Sequence, residues 1–566
     1  MKKKLLTCIL VGCVFAGVLT GCNTQSTTEN NNTNNEVTTE SEVVAETKFG
    51  QVSGTVTGED VITYYGVPYG KNPVGELRWS YPEDPEAWTD VLDCSEPTEI
   101  AMQMKATHGA DGSSTVQLAG TTDCLNLDIY TKKDAKDLPV IVYVHGGNNQ
   151  TGTSLEIPGT EIVEKEDVVY VSLNYRLGLL GYNCLPAVLD EGESGNFGLM
   201  DIKKSLEWVK ENIAEFGGNP ENITLSGFSA GGRDVMATLI SPEFEDLYDK
   251  AVVYSGGMTI ANLEDSQKKV AEIMAPLVVE DGVCQNLDEA KAWLLQDTEE
   301  VTSYLMGLKE DRIISLLSDA GIRMSKFPHL YGDDITIPST GFENAEYVSD
   351  VPIVMLTGTD EFSVFSAFDK IYSEFGDEAD SAKNFAVQYG SDFYRTFNTQ
   401  LSAEKMDENY DSDMYICEIQ YGDLESDSKI ETIGAFHGIF VPMLTSEHGY
   451  KAFYDFENDA LYQELGDIFV DYLANFATNG NPNGEGLENW KPWTLADKNT
   501  LVLTSKDGKP FVENADVYET NEEIIARMTA DTTVSEEVKS KLISSVLNGR
   551  WFSSDLDKHF GNSTEW

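Results

Sequence analysis

Six short runs of β-branched and aromatic residues, separated by longer amphipathic stretches, constrain this chain more than any other feature. They are LPVIVYVHGG (Leu138 to Gly147), DVVYVSLNYR (Asp167 to Arg176), NITLSG (Asn222 to Gly227), KAVVYSGG (Lys250 to Gly257), VPIVMLTG (Val351 to Gly358) and MYICEIQYG (Met414 to Gly422). Each is too short for an independent helix and rich in Val, Ile and Tyr, as strands buried on both faces are. Helical periods lie between them. Leu199, Ile202, Leu206, Val209 and Ile213 recur at spacings of three and four, and Gly217-Gly218 with Pro220 should stop that helix. Strands alternating with helices predict an α/β fold: a central, mostly parallel twisted sheet flanked by helices. With 41% hydrophobic residues the chain can fill such a core.

Two regions have a different texture. Residues 260 to 350 are helical and acidic without strong strands, which suggests a helical cap or insertion beside the sheet. The last stretch, 521–566, is polar and should be a peripheral helical tail. LYQELGDIFVDYLANFATNGNPN (Leu461 to Asn483) predicts one long amphipathic helix ending at Asn-Gly.

The N-terminus belongs to targeting. Lys2 to Lys4 precede an apolar run from Leu5 to Val18, too short to span a bilayer, and Leu19-Thr20-Gly21-Cys22 closes it. That ending resembles the bacterial lipobox. The resemblance implies a signal peptide over 1–22, cleavage before Cys22 and a lipid on its thiol. Residues 23–45 are almost devoid of apolar side chains, so they read as a disordered polar tether. The folded domain is expected over 46–520. The expected location is the extracellular face of a bacterial cell membrane, with the lipid as the sole membrane contact.

Charge excludes one class of partner. Formal net charge is −57, and nucleic acid binding needs a basic face. Beyond the signal segment and Cys22, five cysteines remain: Cys94, Cys124, Cys184, Cys284 and Cys417. None has a CxxC partner, so no zinc site is expected. Cys94 with Cys124 is the one disulfide pairing nominated.

The stretch ENITLSGFSAGGR (Glu221 to Arg233) carries the chemistry. A strand ends in Gly227-Phe228-Ser229-Ala230-Gly231, which fits G-x-S-x-G between a strand and a helix. There a serine sits on a sharp turn, small residues let backbones approach, and the next helix aims its amide groups at developing negative charge. A serine hydroxyl needs a base, and the base needs an orienting acid. Of six histidines, His437 in GAFHGIFVP follows the last strong strand, and His448 in SEHGY is the alternative. The acid should lie between serine and histidine, past a strand. Asp360 and Glu361 both follow VPIVMLTG and both qualify. His145-Gly146-Gly147-Asn148 also follows a strand, so amide groups of Gly147, Asn148 and Ala230 could form an oxyanion hole.

With these residues assembled, the chain resembles the type-B carboxylesterases, the carboxylesterase–cholinesterase branch of the α/β-hydrolases. The matching segments are TTDCLNLDIY, PVIVYVHGG, LNYRLGLLGY, GNFGLMDIKKSLEWVKENIAEFGGNPENITLSGFSAGG, VVYSGG, GTDEFS and GAFHGIFVP, over most of residues 46–520. The resemblance implies Ser229 as nucleophile, His437 as base and Gly147, Asn148 and Ala230 as oxyanion donors. Its acid is commonly a glutamate in a segment like GTDEFS, which selects Glu361. Several positions depart. Phe228 stands where the family usually has Glu, Asn148 where it has Gly or Ala, and Phe440 where an acidic residue is common. The segment MQMKATHGADGSS lacks the tryptophan that cholinesterases use for quaternary ammonium. With Phe228, that argues against choline esters.

The expected function is hydrolysis of small to medium carboxylic esters through an acyl-enzyme, with no metal or organic cofactor. Two other outcomes stay open. Catalytically dead relatives act in adhesion on this fold, and a lipase or amide hydrolase could use the same machinery.

Overall fold

All six runs form strands. The computed structural model describes residues 43–108, 114–317, 326–343, 345–366, 369–426, 428–547 and 554–561. The signal segment, Cys22 and the tether as far as residue 42 lie outside the described residues, as does part of MQMKATHGADGSS.

Thirteen strands make one sheet. In chain order they are β1 (Val43–Thr47), β2 (Gly50–Val56), β3 (Val61–Pro68), β4 (Leu92–Asp93), β5 (Asn126–Lys132), β6 (Leu138–Val144), β7 (Val169–Leu173), β8 (Gly218–Phe228), β9 (Lys250–Tyr254), β10 (Ile353–Gly358), β11 (Met414–Ile419), β12 (Thr500–Lys506) and β13 (Lys509–Ala515). Their spatial order is β1-β2-β3-β5-β7-β6-β8-β9-β10-β11-β12-β13, with β4 beside β2. From β7 to β12 every neighbouring pair is parallel. The antiparallel pairs lie at the two flanks.

Alternate residues of the central strands feed two cores, because successive side chains of a strand point to opposite faces. Val140 and Val142 of β6, Val253 of β9 and Met355 of β10 join one apolar cluster. Ile141, Tyr143, Val252, Tyr254, Val354 and Leu356 join the other. Helices α1 (Phe197–Asn212) and α2 (Ala230–Ile240) cover the first face through Leu199, Leu206, Val235 and Leu239. The arrangement is an α/β-hydrolase sheet with both faces covered, and its parallel strands put their carboxyl ends on one edge. Helix α1 also holds a buried ion pair. Arg176 donates to Asp201 from Nε at 2.8 Å and from Nη2 at 2.7 Å, a two-pronged bond that compensates both buried charges.

The region after β9 is helical as expected: α3 (Leu263–Glu280), α4 (Leu287–Leu294), α5 (Glu299–Gly307) and α6 (Glu310–Ser315). Helix α7 (Ala379–Asn398) follows β10, and α8 (Ala460–Asn479) covers the second face through Tyr462, Leu465, Phe469 and Phe476. Gly480, in left-handed geometry at φ 72°, ends α8.

The tail differs from the expectation of a peripheral segment. Its first helix, α9 (Asn521–Ala530), buries Ile524 and Met528 in the same core as Phe385 and Tyr389 of α7. Arg527 Nη2 reaches Asp392 of α7 at 2.8 Å and Glu519 at 2.7 Å. A polar composition hid this because few apolar residues suffice when arginines form the rest of the contact. The nominated disulfide is also absent: Cys94 and Cys124 are both buried free thiols. The backbone of Cys94 is tied to Ser53 and Tyr65 at the sheet flank, whereas Cys124 lines a crevice with Arg176 and Leu177. Among the described residues, no helix is long and apolar enough to cross a membrane and no cluster of side chains could hold a metal ion.

Candidate active site

Strand β8 stops at Phe228 and helix α2 starts at Ala230, leaving Ser229 as the whole turn. Its backbone sits at φ 55° and ψ −112°, a region that costs a non-glycine residue about 1–3 kcal/mol. The turn is pinned on both sides. The Ser229 amide donates to the Tyr254 carbonyl of β9 at 2.8 Å, and its carbonyl accepts from Arg233 at 3.0 Å. Glycines are obligatory around it. A Cβ on Gly227 would lie 2.3 Å from the Gly231 oxygen, and one on Gly231 would lie 2.2 Å from the Val144 oxygen. That second approach brings the end of β6 directly against the turn.

The loop after β6 continues there. A Cβ on Gly146 would meet the Phe228 oxygen at 3.1 Å and the Ser229 Cβ at 3.2 Å. Gly147, Asn148 and Asn149 all have positive φ, at 102°, 56° and 55°. Ala230 opens α2, so its N–H has no acceptor within the helix. His145 does not face the serine chemistry. It is buried, stacked on Tyr175 at 4.6 Å, and bonds the Gly146 oxygen, and burial pushes its imidazole down to about 4.

The structure places Glu361, not Asp360, on His437. Nδ1 of His437 donates to Glu361 Oε2 at 2.5 Å. The other oxygen, Oε1, accepts from Ser255 Oγ at 2.5 Å, Thr357 Oγ1 at 2.9 Å and the Gly358 amide at 2.8 Å. With no solvent exposure, the Glu361 carboxylate is held by donors alone. Asp360 instead accepts from the amides of Leu424 and Ala435 and so anchors the loop that carries His437. Burial beside Asp423 pushes its carboxyl up to about 7. His448 takes no part: its Nδ1 accepts from the Tyr450 amide in a local turn.

In the neutral imidazole, an Nδ1 that donates to the carboxylate leaves the lone pair on Nε2. That nitrogen is buried and, among the described residues, makes no hydrogen bond, to Ser229 or to any other group. The imidazole is enclosed by rings instead: Phe228 at 4.7 Å, Phe365 at 5.0 Å and Tyr394 of α7 at 5.6 Å between centroids. Phe228 in turn meets Phe440 at 5.1 Å, and Phe440 stacks on Tyr254 at 4.3 Å. The two departures noted separately in the sequence are therefore one contact.

A model of the carboxylesterase family matches residues 41–384 and 366–520. This chain belongs to the carboxylesterase family. Acylcarnitine hydrolase of Rattus norvegicus is 29% identical over 516 residues, covering 84% of this chain and 89% of that protein. Para-nitrobenzyl esterase of Bacillus subtilis is 28% identical over 494 residues, covering 82% and 95%. Among solved structures, a PNB esterase superposes with a TM-score of 0.66 at 23% identity, covering 86% of this chain and all of that one. The protein is thus a carboxylesterase, a hydrolase of carboxylic ester bonds on an α/β-hydrolase fold.

Four residues of this carboxylesterase's site escaped the sequence analysis: Ser255, Glu156, Arg233 and Asp234. Ser255 was legible in part, since it ends the run KAVVY just before two glycines. Nothing local marks Glu156, which reaches Gly146 and Tyr143 across the loop.

Proposed function

We propose that this carboxylesterase works through an acyl-enzyme on Ser229. The Ser229 oxygen attacks the ester carbonyl while Nε2 of His437 takes its proton. The carbonyl oxygen becomes an oxyanion facing the amides of Gly147, Asn148 and Ala230. Collapse expels the alcohol, which receives the proton from His437, and leaves the acyl group on Ser229. Water then repeats the sequence and releases the acid. Glu361 fixes the imidazole tautomer and stabilises the imidazolium. No step calls for a metal or an organic cofactor.

The observation that carries this reading is the 2.5 Å bond from His437 Nδ1 to a buried Glu361, on a ring that packs 4.7 Å from Phe228, the residue before Ser229. The missing bond from Nε2 to Ser229 fits a free enzyme, where catalytic hydrogen bonds are often long and tighten around substrate. Phe228, where the family usually has a glutamate, leaves that position without a negative charge, which supports uncharged esters of small to medium size over choline esters. Ser229→Ala should lower kcat for a short p-nitrophenyl ester by ~10⁶ while leaving thermal unfolding unchanged. A fluorophosphonate should label the wild type and not the variant. Turnover that survives in Ser229→Ala, or a wild type that resists the probe, refutes the acyl-enzyme.

The proposed place of work is the outer face of a bacterial membrane, with the lipid on Cys22 as the tether's anchor. Cys22→Ala should move the protein from the membrane fraction to the soluble one with its esterase activity intact. Retention in the membrane fraction would refute the anchor.

A further inference from the structure

Two buried ionisable side chains sit one turn past Ser229 on α2. Arg233 and Asp234 are almost wholly enclosed, where an ionised group costs several kcal/mol unless it is bonded. Both reach back to the loop after β6. Arg233 Nη2 donates to Asn148 Oδ1 at 2.7 Å, and Asn149 Nδ2 donates to Asp234 Oδ1 at 2.8 Å. Consecutive helix residues therefore hold consecutive loop residues. Asn148 and Asn149 are the two left-handed non-glycine residues of that loop, at φ 56° and 55°.

Left-handed backbone costs a residue with a Cβ roughly 1–2 kcal/mol, and asparagine tolerates it best because its short amide can bond locally. Two such residues in a row would relax unless something held them. Relaxation would rotate the intervening peptide and turn its N–H away. The bond from the Arg233 guanidinium is assisted by its charge and so stronger than a neutral one, and the bond from Asn149 to Asp234 adds a second tie against that rotation. The same helix begins at the nucleophile. A single rigid element thus carries Ser229 at its first turn and braces the opposing loop at its second.

We propose that Arg233 and Asp234 are positioning residues for the oxyanion hole, holding Asn148 and Asn149 in the left-handed conformation that aims the loop's amides at the oxygen above Ser229. This rests on the reading that the loop supplies those amides. It also explains why Asn stands at position 148: its side chain is the acceptor for Arg233.

The test is a double-mutant cycle of Arg233→Met and Asn148→Ala, followed with a p-nitrophenyl ester and with a trifluoromethyl ketone that mimics the tetrahedral adduct. Asn148→Ala keeps the backbone N–H and the Cβ, so it removes the acceptor for Arg233 while the strain that the brace opposes remains. Each variant should lose about 10- to 100-fold in kcat with KM held within about threefold, because misplaced donors weaken the transition state alone. Binding of the ketone should weaken in step. The double variant should be no worse than the poorer single one, and Arg233→Lys should recover part of the loss. If the two losses multiply, or if Asn148→Ala retains kcat within about twofold, the brace is refuted. Asn148→Ala decides between these outcomes by itself where Arg233→Met does not fold. A wild type that resists fluorophosphonate would instead defeat the acyl-enzyme itself, so the two failures are distinguishable.

Discussion

Around Ser229 the chain is held by hydrogen bonds among buried polar groups, whereas around His437 two carboxylates, Glu361 on the ring and Asp360 on its loop, are joined by a set of aromatic faces. On the first side, Arg233, Asp234 and Glu156 all bond the loop after β6. On the second, Glu361 supplies the bond to the ring and Phe228, Phe365 and Tyr394 supply the walls. The difference fits the role proposed for each side. Donors for an oxyanion must point within a narrow cone at one spot, and directional bonds enforce that. An imidazole that moves a proton between two partners needs its plane confined but its Nε2 left unengaged. Ring packing confines a plane without occupying a nitrogen.

The contrast can be broken most severely at Glu361. Glu361→Gln keeps the shape but lets the imidazole adopt the other tautomer, so kcat should fall by about 10³- to 10⁴-fold. Steady-state kinetics will check this, and a loss below tenfold would mean the rings alone orient His437.

Glu156 gives the next effect, in stability. Its Oε2 accepts from Tyr143 and from the Gly146 amide, and its Oε1 is buried without a partner. Burial pushes its carboxyl up to about 7. The folded state thus binds this proton more tightly than the unfolded chain does. Its contribution is complete below the ordinary glutamate range and is lost as pH rises through about 7. That loss is on the order of 3 kcal/mol. Glu156→Gln lacks the titration, so its unfolding temperature should gain on the wild type between pH 5 and pH 8. A gap that is flat across this range would show that Glu156 is not the group titrating.

The smallest effect belongs to the aromatic side. Phe440→Leu removes the stack on Tyr254 and the edge contact with Phe228, which should cost about 1–3 kcal/mol of stability. Since Phe440 confines the base only through Phe228, kcat should drop by less than about tenfold. A pH–rate profile would sharpen the point: a displaced acidic limb would mean Phe440 also sets the basicity of His437.

The sequence exposed the parts of this molecule that are local. Strands were legible because Val140 to Val144 and their counterparts are buried on both faces, so the whole run is apolar. The turn at Ser229 was legible because its small residues form one contiguous motif between a strand and a helix. The local pattern left Asp360 and Glu361 open, since both are carboxylates past the same strand, and the resemblance to the type-B carboxylesterases is what selected Glu361. Packing gives the reason: Asp360 bonds the Ala435 amide while Glu361 bonds His437. The tail was misjudged for a similar reason, since its arginine contacts lie more than a hundred residues away on α7.

What the sequence determined by itself was the alternation of strand and helix, the strained serine turn and the family, because each is written in spacing or in contiguous motif. The tertiary structure alone decided what Asp360 does beside Glu361, that Phe228 and Phe440 are one contact, and that Arg233 and Asp234 reach the loop across from them. Those are pairings between residues distant in the chain. Nothing in the local pattern encodes a partner that only the folding of the sheet brings near.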